Sequence, residues 1–325
     1  MDYMINDGIK LALAGLMVVL DIFGISSANQ VVLNQAEYLG ISDSYEIVVD
    51  KSEVESKTDV QLINIKVPVF APYTEDYISM PYIEALSAVV MDIDTSSILY
   101  EKDINSAKAM ASTTKLMTAV VALENLDADE IIKVDYQDTT IEPMKMYLTP
   151  GEKISVDALM HSLLINSNND AALVLARAGG NGDPSAFIDM MNQKAILLGL
   201  NNTHFANPHG LDQAEHYSSA KDLALLARHA LKSEYISSIV SMKNATVNSE
   251  NGSVYYLKTT NKLLDSYLDI RGVKTGFTDN AGQVVILKAV NDEGNEIVTV
   301  VMNSPDRFQE SKSLIDWTFD NYYWD

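Results

Sequence analysis

From Tyr82 onward, apolar positions fall in short β-rich runs at both ends of the chain and recur at helical spacing in the middle. "ALSAVVMD" and "SILYE" are two such runs joined by "IDTS", which predicts a hairpin. From Met110 to about Ser233 the period lengthens. Val156, Leu159, Met160, Leu163 and Leu164 make one helical stripe, and Asp183 with Pro184 opens another helix as N-cap and first residue, which Gly199 ends. Past Asn248 the strand pattern returns in "SVYYL", "IRGVKTG", "QVVILKAV" and "EIVTVVMN", the last two joined by the turn-forming "NDEGN". An amphipathic helix, "DRFQESKSLIDWTFDNY", follows. Strands at both ends with helices between predict an α+β fold: one mixed, mostly antiparallel sheet assembled from chain-distant pieces, flanked by helices, with an inserted helical subdomain at about residues 103–250. A cleft between sheet and helical block is the natural site.

Ahead of Tyr82 the character differs. Residues 29–81 are acidic, lack a clear amphipathic period and contain "VPVFAPYTEDYISMP", so they read as a spacer with at most short strands. Residues 1–28 hold "KLALAGLMVVLDIFGISSANQ": one lysine, Lys10, an apolar run broken only by Asp21, and the small residues Ser26 and Ala28 ahead of a cleavage point. This is the pattern of an export signal. Asp2, Asp7 and the length of the run leave open a retained N-terminal anchor through residues 9–28, or a buried helix.

Composition narrows the function. With 47% apolar residues in 325, the chain can bury a sizeable core. Its formal net charge of -22 has the wrong sign for a nucleic-acid footprint. The absence of cysteine excludes disulfides, thiol catalysis and thiolate metal sites, and fits an exported protein. The histidines and carboxylates show no metal-ligand spacing, so no cofactor is expected.

Candidate chemistry starts in "MASTTKLMTAV". Ser112 and Lys115 stand three apart at the head of an apolar run, so on a helix both project from one face while Thr113 and Thr114 point elsewhere. A serine hydroxyl needs a base, and a lysine serves as one when desolvation or nearby charge leaves its amine neutral. The helix start also offers the Ser112 N–H to a developing oxyanion. Spacing alone decides little: Ser-x-x-Lys arises about once by chance in a chain of this size, and Ser218 with Lys221 repeats it. That second pair reads as structural, because Ser219 followed by Asp222 is a capping-box pattern. Ser167 and Asn169 in "SNNDAALVLAR" stand before a helical segment, and Lys274, Thr275 and Gly276 end an apolar strand. Ser249 and Asn251 repeat Ser-x-Asn inside an obvious turn. His209 in "NPHGLD" reads as a turn residue, and His161 as helix packing.

In order, these motifs resemble the S-x-x-K, S-D-N and K-T-G set of the serine penicillin-recognising proteins, most closely the D-alanyl-D-alanine carboxypeptidases among the low-molecular-weight penicillin-binding proteins. The resemblance extends through "NPHGLDQAEHYSSAKDLALLARHAL", "TTNKLL", "GVKTGFTDNAG" and "SPDRFQESKSLIDWTF", and covers residues 82–325 as a catalytic domain. It implies a β-lactamase/transpeptidase-like fold and an enzyme that takes the terminal D-alanine from peptidoglycan stem peptides through an acyl-enzyme on Ser112, which β-lactams would also acylate. The implied roles are Lys115 as base, Ser167 as proton relay between Lys115 and the leaving nitrogen, Asn169 as clamp on the substrate amide, and Lys274 and Thr275 with Gly276 at the terminal carboxylate. Phe277 would give a second oxyanion donor through its backbone, and Arg307 is a further carboxylate candidate. The expected location is extracytoplasmic, in the wall or anchored on the outer membrane face. Two departures stand out: Ser-Asn-Asn places Asn168 where the family often has glycine or aspartate, and Phe277 follows the Lys-Thr-Gly triplet. A class A β-lactamase is the nearest alternative, but Glu215, Glu234 and Glu250 do not occur in its Glu-x-x-Leu-Asn setting. A non-turnover penicillin sensor and an endopeptidase are the others.

Overall fold

The computed structural model describes residues 70–74 and 78–324, together with two short strands, Val31–Leu33 and Tyr45–Ile47. The chain divides into two compact units, Met1–Pro68 and Val69–Asp325. In the first, the two short strands pair antiparallel. The expected export segment at residues 1–28 and most of the acidic spacer lie outside the described residues. The second unit begins at Val69, upstream of the Tyr82 where the strand pattern starts.

Five strands form the central sheet of this unit: β1 (Ser87–Asp92), β2 (Ile98–Lys102), β3 (Asp269–Thr278), β4 (Gly282–Val290) and β5 (Glu296–Ser304). The order is β2-β1-β5-β4-β3, and every neighbouring pair is antiparallel, so the sheet is not mixed. Pairing β1 with β5 joins segments nearly the whole domain apart. The apolar runs are continuous because both faces are covered. Val284, Ile286, Val298 and Val300 face the helical core, while the intervening Val285, Leu287, Ile297 and Val301 pack with Leu314 and Ile315 of the last helix. At the β1–β2 turn, the Asp92 carboxylate accepts the Thr95 backbone N–H at 2.8 Å.

The inserted block holds α1 (Lys115–Asn125), α2 (Val156–His161), α3 (Asn169–Gly179), α4 (Pro184–Leu197), α5 (Ala220–Ala230) and α6 (Glu234–Val240). Asp183 caps α4 by accepting the Ser185 N–H, and Gly199 takes φ +70° just past its end. The stripe from Val156 to Leu164 is fully buried, but only its first half is α-helical. Ser162–Asn166 is a π turn that ends on Ser167 in the left-handed region, φ 65°. "SVYYL" does not join the sheet. Val254–Lys258 pairs with Asn244–Asn248 in a separate hairpin whose inward residues, Val247 and Leu257, pack on the helical core while Val254 and Tyr256 stay exposed. Alternation fixes a strand and its buried face, but not which sheet it joins.

The second Ser-x-x-Lys pair dissolves into structure. The Ser219 hydroxyl caps α5 by accepting the Asp222 N–H at 3.2 Å, while the Ser218 hydroxyl pairs with that of Thr203 at 2.8 Å. The Asp222 carboxylate is taken by the Asn202 N–H and the Thr203 hydroxyl, so the reciprocal half of the capping box is replaced by a loop contact. The final helix, α7 (Arg307–Asn321), starts on the Asp306 cap and closes over the outer sheet face.

Candidate active site

Ser112 lies in a single 3-10 turn, Ala111–Thr114, that runs directly into α1 at Lys115. Ala111 holds φ +49°, a left-handed conformation that costs a non-glycine residue about 1–2 kcal/mol, so the surrounding structure must hold it. The turn's own threonines do part of this: the Thr113 hydroxyl donates to Met110 O at 2.6 Å and the Thr114 hydroxyl to Ala111 O at 2.8 Å. Two glycines press on it from either side. A Cβ on Gly276 would lie 2.9 Å from both Ala111 Cβ and Ser112 N, and one on Gly210 (φ +92°) would lie 2.1 Å from Ala111 O. Backbone approaches side-chain-free backbone here, which fixes where the Ser112 hydroxyl points.

Lys115 is completely buried. Its amine is 2.9 Å from Ser112 Oγ and 2.7 Å from Asn169 Oδ1, and it donates to the His209 carbonyl. Burial and the neighbouring Lys274 hold its pKa well below the ordinary lysine value, with Asp170 opposing. The partners define the proton arrangement. Asn169 Oδ1 and the His209 carbonyl can only accept, so in the neutral form of the amine, which burial favours, they take its two N–H groups and leave the lone pair for the Ser112 hydroxyl. The Asn169 amide cannot be reversed, because its nitrogen donates to Pro143 O at 2.6 Å. Asp170 is buried beside it and accepts backbone N–H groups of Met146, Leu148 and Ala171, tying α3 to the loop above the site; burial raises its pKa against those bonds.

On the other wall, β3 carries Lys274, Thr275 and Gly276. Lys274 is buried, donates to Ser167 Oγ at 2.8 Å, and has its pKa lowered to about 7 by burial and then by Arg307. The Thr275 hydroxyl pairs with that of Thr260 at 2.6 Å. Arg307 is not a free surface cation. It stacks on Phe308 with its guanidinium carbon 4.9 Å from the ring centre, donates through Nη1 to Gly276 O, and has a buried Nε without a partner. Desolvation lowers its pKa too. Phe277 is 61% exposed at the rim.

The geometry therefore brings Ser112, Lys115 and Asn169 into direct contact and joins Ser167 to Lys274, with Gly276 against the Ser112 backbone. Two bonds differ from expectation. Ser167 is linked to Lys274 rather than to Lys115, because its left-handed turn sets it facing β3. Asn169 spends both ends of its amide on Lys115 and Pro143. Asn168 turns inward, donating to Ser162 Oγ at 2.8 Å and steadying the π turn. Sequence reasoning missed Asp170, Gly210, the His209 carbonyl and Thr260. The glycine inside "NPHGLD" was the one available signal. His209 does serve the turn: its Nδ1 accepts the Leu211 N–H at 3.2 Å, and its pKa falls to about 3, chiefly through burial.

Comparison with known proteins follows the same lines. The sequence profile of the D-alanyl-D-alanine carboxypeptidase family of peptidases matches residues 74–306. The chain is 34% identical over 246 residues to the carboxypeptidase DacF of Bacillus subtilis, covering 74% of this chain and 63% of that protein. It is 32% identical over 260 residues to the D-alanyl-D-alanine carboxypeptidase of Streptomyces strain K15, covering 89% of that protein. Among solved structures, the DD-transpeptidase of Streptomyces K15 superposes with a TM-score of 0.71 at 29% identity, over 75% of this chain and all of that one. A D-alanyl-D-alanine carboxypeptidase from Mycobacterium tuberculosis gives 0.71 at 30% identity, over 76% and 95%. Thus this chain spans a little under two thirds of the length of the Bacillus relative, but nearly all of the shorter ones. With the family profile over most of the second unit and the fold shared throughout it, the chain belongs to the D-alanyl-D-alanine carboxypeptidase family of peptidases.

Proposed function

We propose that the chain is a serine-type D-Ala-D-Ala carboxypeptidase acting on peptidoglycan stem peptides, and that β-lactams acylate the same serine. The observation that carries this reading is the buried Lys115 amine 2.9 Å from Ser112 Oγ, with Asn169 Oδ1 and the His209 carbonyl as its other partners. Ser112 attacks the penultimate D-alanine carbonyl as Lys115 takes its proton. The Ser112 N–H, with the Phe277 N–H as second donor, faces the oxyanion. Ser167 accepts from Lys274, so its own hydroxyl proton is free to pass to the leaving nitrogen and be replaced from Lys115. The C–N bond breaks, D-alanine departs, and water hydrolyses the ester. Lys274, Thr275 and Arg307 supply the field for the substrate's terminal carboxylate, and Asn169 exchanges a bond to hold its amide. Such a substrate sets the enzyme outside the cytoplasmic membrane, attached or released through residues 9–28. No described helix is long and apolar enough to cross a membrane.

The test is intact mass after incubation with a penicillin, together with D-alanine release from a peptide ending in D-Ala-D-Ala. The expected result is one covalent adduct, lost in Ser112→Ala, and steady D-alanine release. An adduct that survives Ser112→Ala removes the nucleophile. A stable adduct without D-alanine release means a sensor, and rapid penicillin turnover means a β-lactamase.

A further inference from the structure

Against the turn that carries Ser112 lies a buried histidine that the chemistry above does not use. His216 is 5% exposed, at the end of "DQAEH", where nothing in the local pattern marks it out. Its ring makes two bonds. Nδ1 accepts the Ala206 backbone N–H at 3.0 Å, and Nε2 is 2.8 Å from the Thr114 hydroxyl. Because Nδ1 accepts from an amide, it carries no proton, and in the neutral ring Nε2 must carry it. Nε2–H therefore donates to Thr114 Oγ1, which leaves the threonine's own proton for Ala111 O, 2.8 Å away. A directed chain results: Ala206 N–H to His216, His216 to Thr114, Thr114 to the carbonyl of the strained residue immediately before Ser112. The other side of that carbonyl is closed by Gly210.

We propose that His216 is a positioning residue for acylation. Through Thr114 it locks the Ala111 carbonyl, and with it the left-handed Ala111 turn that aims Ser112 Oγ at Lys115. Its ring hydrogen-bonds to Thr114 and Ala206 and to neither Ser112 nor Lys115, so the positioning effect runs through the hydroxyl of Thr114. The groups around the ring support a fixed neutral tautomer: burial first, then His204 and Lys115, lower its pKa to about 4, against Asp212. The proposal rests on Ser112 being acylated, which the penicillin adduct of the wild-type chain establishes on its own.

Two substitutions separate positioning from packing. His216→Gln places an amide N–H where Nε2–H stands and drops the acceptor for Ala206. His216→Asn keeps an acceptor for Ala206 and drops the donor to Thr114. The second-order rate of labelling by a fluorescent penicillin, kcat and KM on the D-Ala-D-Ala peptide, and thermal unfolding are measured for both and for Thr114→Val. Expected are near wild-type acylation in His216→Gln, and a roughly ten- to hundredfold loss in acylation rate and kcat, with KM little changed, in His216→Asn and Thr114→Val. The double variant His216→Asn/Thr114→Val should lose no more than either alone. Equal rates in Gln and Asn variants, or losses that follow melting temperature across the set, overturn the proposal; if His216→Asn does not fold, Thr114→Val against His216→Gln decides it. A wild-type chain that never takes the label overturns the serine reading instead.

Discussion

At the scale of single residues, two buried lysines lie at the candidate site, and the fold tolerates an energetic cost to keep them. Burial first and then Lys274 lower the pKa of Lys115, against Asp170, while burial first and then Arg307 lower that of Lys274, so the neutral form of each amine is favoured. The linkage has a definite sign. Lys274 is charged in the unfolded chain up to about pH 10.4, but in the folded state only up to about pH 7, so between these values the unfolded state binds more protons and stability rises with pH. Below pH 7 the full burial penalty applies. Lys274→Met should therefore be more stable than wild type at pH 7 and below, by about 2–4 kcal/mol, with the difference shrinking toward pH 10 as the wild-type lysine loses its proton in both states. Denaturant unfolding at pH 6, 8 and 10 checks this, and a difference that grows with pH would reverse the assignment. The same variant should release D-alanine far more slowly.

At the scale of elements, the site is made where three of them meet: the 3-10 turn ahead of α1, the π turn ahead of α3, and the end of β3. The two turns depart from regular helix, with Ala111 and Ser167 both in the left-handed region, while Lys274 to Gly276 keep regular pairing with β4. The contact that seals them is backbone on backbone, which is why glycine occurs at 210 and 276. Gly210→Ala should cost about 2–4 kcal/mol, since its φ of +92° disfavours a side chain and the new Cβ would meet the Ala111 carbonyl at 2.1 Å. Thermal unfolding reads the loss, and penicillin labelling of the remaining folded protein should fall with it, because the displaced carbonyl belongs to the nucleophile turn. A variant with unchanged stability and labelling would show that the turn yields freely.

At the scale of the whole second unit, the two chain-distant halves of the sheet are held by the last helix. The Glu310 carboxylate of α7 accepts the backbone N–H groups of Glu84 and Ala85 just ahead of β1, and the Ser304 hydroxyl at the end of β5. Trp317 donates to Ser79 O at 2.9 Å, and Tyr322, just past the helix, donates to Leu99 O at 2.7 Å, so the helix and its C-cap residue read the approach to β1, the end of β5 and β2 together. Glu310→Ala leaves two backbone donors and a buried hydroxyl without their acceptor and should cost about 2–3 kcal/mol, with hydrogen exchange rising first at residues 84–87. Gln at the same position, which keeps one acceptor, should recover part of it. Exchange that is unchanged at 84–87 would show that apolar packing by Leu314 and Ile315 suffices alone.

By itself the sequence determined the element types, the order of strand, helix and strand, the caps at Asp183 and Ser219, and the set Ser112, Lys115, Ser167, Asn169 and Lys274 as the residues to watch. These are legible because they rest on local period, capping chemistry and motif order. Tertiary structure alone decided the rest. It sent Val254–Lys258 to its own hairpin, made the sheet wholly antiparallel, and bonded Ser167 to Lys274. The capping pattern already set the pair at Ser218 apart; the tertiary structure adds the physical contrast, since Lys115 is buried, hydrogen-bonded to Asn169 and the His209 carbonyl, and faced by a second cation. Spacing along a helix brings two side chains together; whether one becomes a base depends on burial and charge supplied by residues far away in the chain, from Asn169 and Asp170 to His209 and Lys274.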